Sequence, residues 1–283
     1  MTTTMTTSAA ARADGYEDLL VNQAAGVATI TLNRPAKHNA LRQQTFAELG
    51  RAFDEAETDP AVRVIVLTAA GDRIFCSGID LDADGLPDNS QEWDDHTRGN
   101  AAVISKIWYC DKPVITALNG GAIAGGCNLA VVGDLTIAAD NAFLSEPEIR
   151  HGALSPLLML PWLMQFKAFN ELYLTGDRLS AERAREAGLV NRVVPADQLL
   201  VEAQRLAERV AHAPSYAATL AKRAVRLTLD IQGFKAAQDA HRYIDTYLLA
   251  SNGVTEKERL MSILAEEGMG AFLRARDTPY GER

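Results

Sequence analysis

The stretch that most constrains this chain is residues 112–134, KPVITALNGGAIAGGCNLAVVGD. Residues 114–118 form a short apolar run, rich in β-branched side chains and preceded by Pro113, which reads as a buried strand. Asn119-Gly120-Gly121 breaks that run, Gly125-Gly126 makes a second break, and the apolar segment that follows suits a helix. A strand, a glycine-rich turn and a helix together aim free backbone N–H groups at a negatively charged oxygen. Glycines in such a turn also let a helix pack closely on a sheet, and the stretch taken alone favours that plainer role. No G-x-G-x-x-G runs through the turn, and Cys127 stands where a phosphate loop needs lysine, so the dinucleotide and phosphate-loop patterns both fail.

The chain has 283 residues, 47% hydrophobic and 23% charged, enough for one large domain or a domain with an appendage. Its formal net charge of −9 disfavours non-specific binding to nucleic acid or to an anionic membrane. No apolar run approaches a membrane span. Cys76, Cys110 and Cys127 are odd in number and lack C-x-x-C spacing, which argues against a disulfide framework or a zinc site and fits a reduced, cytoplasmic setting. No metal-ligand constellation is present. Residues 1–14 lack an apolar segment and read as a disordered leader, with Met5 as an alternative start.

Along the chain, 16–21 and 27–32 read as strands joined by a turn at Ala24-Ala25-Gly26. A helix follows Leu41 and stops near Asp59-Pro60. Strands are expected at 62–68, 74–76, 135–139, 143–144 and 189–194, with Asp80 placed to cap a helix start. Residues 93–109, 196–213, 216–230 and 233–250 are expected to be helical, and Thr255 and Glu258 have the spacing of a capping box. The pattern is strand–strand–helix units followed by a helical third, with the boundary drawn near residue 200.

Six segments in this order, RPAKHNAL (34–41), VRVIVLTAAGDRIFCSGIDL (62–81), KPVITALNGGAIAGGCNLA (112–130), FLSEPEIRHG (143–152), LTGDRLSAERAREAGLVNRVVP (174–195) and EEGMGAFLRAR (266–276), resemble the crotonase superfamily of enoyl-CoA hydratases and isomerases. The resemblance implies an α/β fold, a spiral of ββα units over residues 15–200, with a C-terminal helical oligomerisation region over 201–283. It also implies a homotrimer or a dimer of trimers. The implied substrate is an acyl-CoA thioester; coenzyme A belongs to the substrate, and no permanently bound cofactor is expected.

The resemblance further implies an enolate oxygen held by the backbone N–H groups of Ile79 and Gly125. Physics supports such a pair: preorganised dipoles in a dry site favour a charge that exists only in the intermediate, and a helix start at Gly125 adds its partial positive end. Arg34, Lys37, His38 and Ala40 of the first motif and Ser77, Asp80 and Leu81 of the second are implied to contact coenzyme A, with Arg274 and Arg276 as further candidates for its phosphates. The family often has lysine where Asp82 stands here. Of the two glutamates of a typical hydratase, one corresponds to Glu148 and the other to Asn128, which has no titratable proton. Losing one general acid/base costs on the order of 10²–10⁴-fold. Migration of a double bond needs only one carboxylate, so a 3,2-enoyl-CoA isomerase is expected, with Glu148 as base. A hydratase in which Asn128 positions water, and a non-catalytic acyl-CoA binder, remain the alternatives. Pro156 stands where dehalogenase relatives need aspartate. Glu146 reads as solvated, His151 as a satisfied structural histidine, and Tyr243 and Tyr247 as packing residues.

Overall fold

The computed structural model describes residues 15–81, 87, 89–155, 157–251 and 255–281. The expected leader over 1–14, Asp82 with most of the loop after it, and Pro156 lie outside the described residues.

Strands β1 (Leu19–Ala24) and β2 (Val27–Leu32) form an antiparallel hairpin in register from Leu19↔Leu32 to Ala24↔Val27. Its turn takes positive φ at Ala25 (49°) and Gly26 (78°), the handedness that matches strand twist. Helix α1 (Gln43–Thr58) follows, then β3 (Val64–Ala69) and β4 (Ile74–Cys76), α2 (Ser90–Tyr109), β5 (Val114–Leu118) and β6 (Gly121–Ile123), α3 (Gly125–Val131), and β7 (Leu135–Ala139) and β8 (Phe143–Ser145). Short helices α4 (Leu160–Leu163), α5 (Phe166–Thr175) and α6 (Ala181–Glu186) alternate with β9 (Leu179–Ser180) and β10 (Arg192–Val194). Helices α7 (Leu199–Ala211), α8 (Ser215–Ile231), α9 (Phe234–Ala250), α10 (Thr255–Glu267) and α11 (Met269–Asp277) complete the chain.

From β3 onward each winding lays one strand in each of two sheets. The larger has the order β1-β2-β3-β5-β7-β10 and the smaller β4-β6-β8-β9. Every residue of β3 and β5 is buried, as expected of parallel strands covered on both faces. Helix α7 packs its apolar side, Leu199, Ala203, Leu206 and Ala207, on the larger sheet. The sheet cover therefore runs past the boundary expected near residue 200.

The smaller sheet positions the site. β4, β6 and β8 are parallel neighbours, so their C-terminal ends lie side by side. Ile79, Gly125 and Glu148 follow those ends by three, two and three residues. β6 was not expected: three residues with a glycine carry no strand periodicity. The helix start that Asp80 was expected to cap falls on residues 82–86, outside the described residues. The Asp80 carboxylate pairs with Arg34 at 2.9 Å, and α2 is capped by Asn89, which accepts from the Gln91 and Glu92 amides.

Helices α8 and α9 invert the usual arrangement. α8 buries Lys222 and Arg226, which pair with Asp134 at 2.7 and 2.8 Å, and exposes Tyr216, Leu220, Leu227 and Ile231. α9 buries Gln238, His241, Arg242, Asp245 and Thr246 along with Phe234, and exposes Tyr243, Ile244 and Tyr247. The two tyrosines are thus mostly exposed rather than packed in the core as expected, with Arg242 lying 4.4 Å over the Tyr243 ring.

Candidate active site

The first motif and the loop after β4 are stitched together by the backbone. Leu41 N–H donates to Gly78 O at 2.8 Å, Asp80 N–H to Leu41 O at 2.9 Å and Ser77 N–H to His38 O at 3.1 Å. Asn39, buried and at φ 54°, donates from its side chain to Ala70 O and Ile74 O at 3.0 Å each. Across the cleft, Ala124 N–H donates to Ser145 O at 2.9 Å and Cys127 N–H to Ala124 O at 2.8 Å. Among the described residues, the amides of Ile79 and Gly125, between these, carry no such bond. Each follows a residue of positive φ, Gly78 at 91° and Ala124 at 56°. For Ala124, with ψ −130°, this is a sparsely populated backbone region. Both residues line one cavity of about 650 Å³.

The glycines divide between packing and site. A Cβ at Gly126 would stand 2.3 Å from Cys76 O, so its missing side chain lets α3 press against β4. A Cβ at Gly125 meets nothing closer than 3.8 Å. Packing explains Gly126 and leaves Gly125, at the first position of α3, to the cavity.

Glu148 lines the same cavity and is half-buried, with Oε2 enclosed and unpartnered among the described residues. Burial raises its carboxyl above the usual range, with a hydrogen bond from Glu146 and the charge of Arg276 opposing. Its turn, Pro147–His151, is anchored by Arg150, which donates to Thr175 O at 2.8 Å and pairs with Asp177 at 2.7 Å. Glu146 is not the solvated residue expected: it is 2% exposed. Burial, then the charge of Glu148 and a hydrogen bond between the two side chains, push Glu146 well above the carboxylate range.

Asn128 is buried on α3 and lines the cavity; its Nδ2 donates to Ser155 Oγ at 2.7 Å and its Oδ1 is enclosed without a partner among the described residues. His151 also lines the cavity, stacked edge-on to Phe272. It is not the satisfied histidine expected, since Nδ1 has no partner among the described residues, and burial pushes it down to about 4, so the ring is neutral at pH 7. Sequence reasoning missed Asp245 altogether. Asp245 of α9 lines the same cavity, and burial, joined by the charge of Glu148, raises its carboxyl to about 7.

Of the residues expected to contact coenzyme A, Lys37, His38, Ala40, Ser77, Asp80 and Leu81 line the cavity. Arg34 does not. Its guanidinium is spent on Asp80 and, at 3.6 Å, on Asp18, so it supports the Ile79 loop from behind. Arg276 lines the cavity while chelating Asp277 through two bonds of 2.7 and 2.9 Å; Arg274 is not among the lining residues, and Arg178, which the sequence did not single out, is. Among the described residues no group of three or more His, Cys, Asp or Glu is gathered that could hold a metal ion, and no helix is long and apolar enough to cross a membrane.

The family profile for enoyl-CoA hydratase/isomerase matches residues 22–283. The chain is 34% identical over 270 residues to a carnitinyl-CoA dehydratase of Escherichia coli (strain K12), covering 94% of this chain and 99% of that relative. Among solved structures, an enoyl-CoA hydratase/isomerase from Xanthobacter autotrophicus Py2 superposes with a TM-score of 0.89 at 35% identity, over 94% of this chain and 99% of the other. A carnitinyl-CoA hydratase from Mycobacterium avium superposes with a TM-score of 0.76 at 29% identity, over 89% and 97%.

Proposed function

The chain belongs to the enoyl-CoA hydratase/isomerase family, and we propose that it removes and returns the C2 proton of an acyl-CoA thioester through Glu148, holding the enolate oxygen between the Ile79 and Gly125 amides. One observation carries this: Ile79 and Gly125, whose amides have no acceptor among the described residues, line one cavity with Glu148, which has an enclosed carboxyl oxygen without a partner there. The N–H dipoles act chiefly on the charge that develops during reaction, which lowers the barrier more than it tightens substrate binding. A carboxyl raised by burial is a stronger base when ionised and a ready acid when protonated.

The net reaction we infer is a double-bond shift from 3-enoyl-CoA to 2-enoyl-CoA. Asn128 has no proton to exchange at the place where a second glutamate would serve water addition, and its Nδ2 is engaged by Ser155. The named activity of the Escherichia coli and Mycobacterium avium relatives supports a second reading, hydration or dehydration at C3. Lys37 and Arg276 at the cavity supply positive charge for the phosphates of coenzyme A, with the His38 ring beside them, and the exposed apolar faces of α8 and α9 support a trimer.

The test is solvent deuterium incorporation at C2, together with product identity on paired 3-enoyl and 2-enoyl thioesters. Glu148→Gln keeps the shape of the side chain and is expected to abolish exchange while leaving thioester binding within a few-fold. Isomerisation by the wild-type protein is expected to outrun hydration. Hydration at the faster rate would reject the double-bond shift in favour of the second reading. Retained exchange in Glu148→Gln would reject Glu148 as the base.

A further inference from the structure

Asp245 lies far along the chain from either glycine turn, yet it lines the same cavity as Glu148. It is 1% exposed. Oδ1 is fixed by the Leu154 N–H at 3.2 Å, whereas Oδ2 is enclosed without a partner among the described residues. A buried carboxyl kept for structure is normally hydrogen-bonded at both oxygens or ion-paired. Lys257 of α10 has the charge for such a pair, but its ammonium is turned to the carbonyls of Leu248, Leu249 and Ser251 at the end of α9. His241, one turn earlier on α9, is pushed down by burial and gives no cationic partner. Asp245 is therefore oriented by the backbone, in a cavity that Leu154, Leu249 and Phe272 also line, and has one oxygen without a partner among the described residues. Burial and the charge of Glu148 keep that carboxyl partly protonated near neutral pH.

We propose that Asp245 is a second catalytic acid, which delivers a proton to the acyl chain beyond C2, at C4 of a 3-enoyl thioester. The proposal rests on the C2 chemistry assigned to Glu148. The Glu148 carboxylate takes the C2 proton, the C–H electron pair forms the C1=C2 bond, and the thioester oxygen takes the negative charge between the two amides. The carbonyl then reforms, the C1=C2 pair becomes the C2=C3 bond, and the former C3=C4 pair takes the proton of the Asp245 carboxylic acid. Glu148 ends protonated and Asp245 ionised. Loss of a proton from Glu148 to water and its gain by Asp245 from water restore the site, and no oxidant or further reactant is consumed.

Asp245→Asn keeps an oxygen for the Leu154 amide and removes the acid. The measurements are C2 deuterium exchange and net isomerisation of one 3-enoyl-CoA, on wild type, Asp245→Asn, Asp245→Glu and Glu148→Gln. In Asp245→Asn, exchange is expected within about threefold of wild type while isomerisation falls by about 10²–10⁴-fold, the usual worth of a positioned acid. Asp245→Glu is expected to recover part of the loss. Isomerisation at the wild-type rate in Asp245→Asn would overturn the proposal, as would loss of exchange in parallel with isomerisation. So would a defect confined to hydration, which would move the acid to C3. Exchange that survives Glu148→Gln is a separate outcome and rejects the C2 base instead.

Discussion

A methyl group added at residue 126 has no room, and one added at residue 125 has. In Gly126→Ala the new Cβ would lie 2.3 Å from the Cys76 carbonyl, so α3 or β4 must shift, at a cost of about 1–3 kcal/mol. Gly125→Ala meets its nearest atom at 3.8 Å, so the midpoint of urea unfolding should stay within error while kcat/KM falls, because the methyl enters the cavity beside the proposed oxyanion donors. Equal stability losses in the two variants would show that Gly125 is also a packing residue. Glu146 makes a second prediction. Its folded-state pKa is raised above the ordinary value, so the folded chain holds a proton that the unfolded chain gives up. Stability from this group is full below the ordinary glutamate range and is lost as pH rises toward the raised value. Glu146→Gln removes that loss, so its Tm relative to wild type should climb between pH 5 and pH 8. A difference that is flat with pH would mean that Glu146 ionises normally.

The elements that were legible in the sequence are those whose residues face the core. The apolar runs of β5 and β7 match the strands observed over Val114–Leu118 and Leu135–Ala139; the glycine turn stood out by its residues, and Glu148 was singled out only through the family resemblance. β6 was hidden because its identity comes from pairing with β4 and β8, which only tertiary structure supplies. Asp245 was hidden for a different reason. Pattern reading sends the polar stripe of a helix to solvent, yet on α9 the stripe at 238, 241, 242, 245 and 246 is the buried one. The same inversion on α8 gives a test. Arg226 lies 3.2 Å over the Trp108 ring and pairs with Asp134 at 2.8 Å, while the Asp134 carboxylate also holds Lys222. Breaking a buried pair by removing one partner costs about 3–5 kcal/mol, so Arg226→Ala should lose stability of that order in urea unfolding. A loss below about 1 kcal/mol would mean that the pair behaves as a surface one.

For the molecule as a whole, the inverted helices leave a surface to be covered. Tyr216, Leu220, Leu227 and Ile231 recur at spacings of four, seven and four along α8, one side of a helix. Ile231 and Tyr247 are each 78% exposed. Isolated apolar side chains are ordinary at a surface, but an ordered stripe of them marks an association face. Charged residues of the same two helices are held inside the chain instead, Lys222 and Arg226 by Asp134 and Arg242 by Asp94. We therefore expect the chain to associate through α8 and α9, as a trimer or a pair of trimers, and light scattering at micromolar concentration should give three or six times the 30.6 kDa chain mass. Leu227→Glu with Ile231→Glu places two charges on the stripe without touching the buried side of α8, and should shift the mass toward that of one chain while the circular dichroism spectrum stays that of wild type. Because Asp245, Phe272 and Arg276 reach the cavity from helices of this same chain, the separated chain should still bind an acyl-CoA thioester. A stable wild-type monomer would refute the association face, and an assembly untouched by the double substitution would move that face off α8.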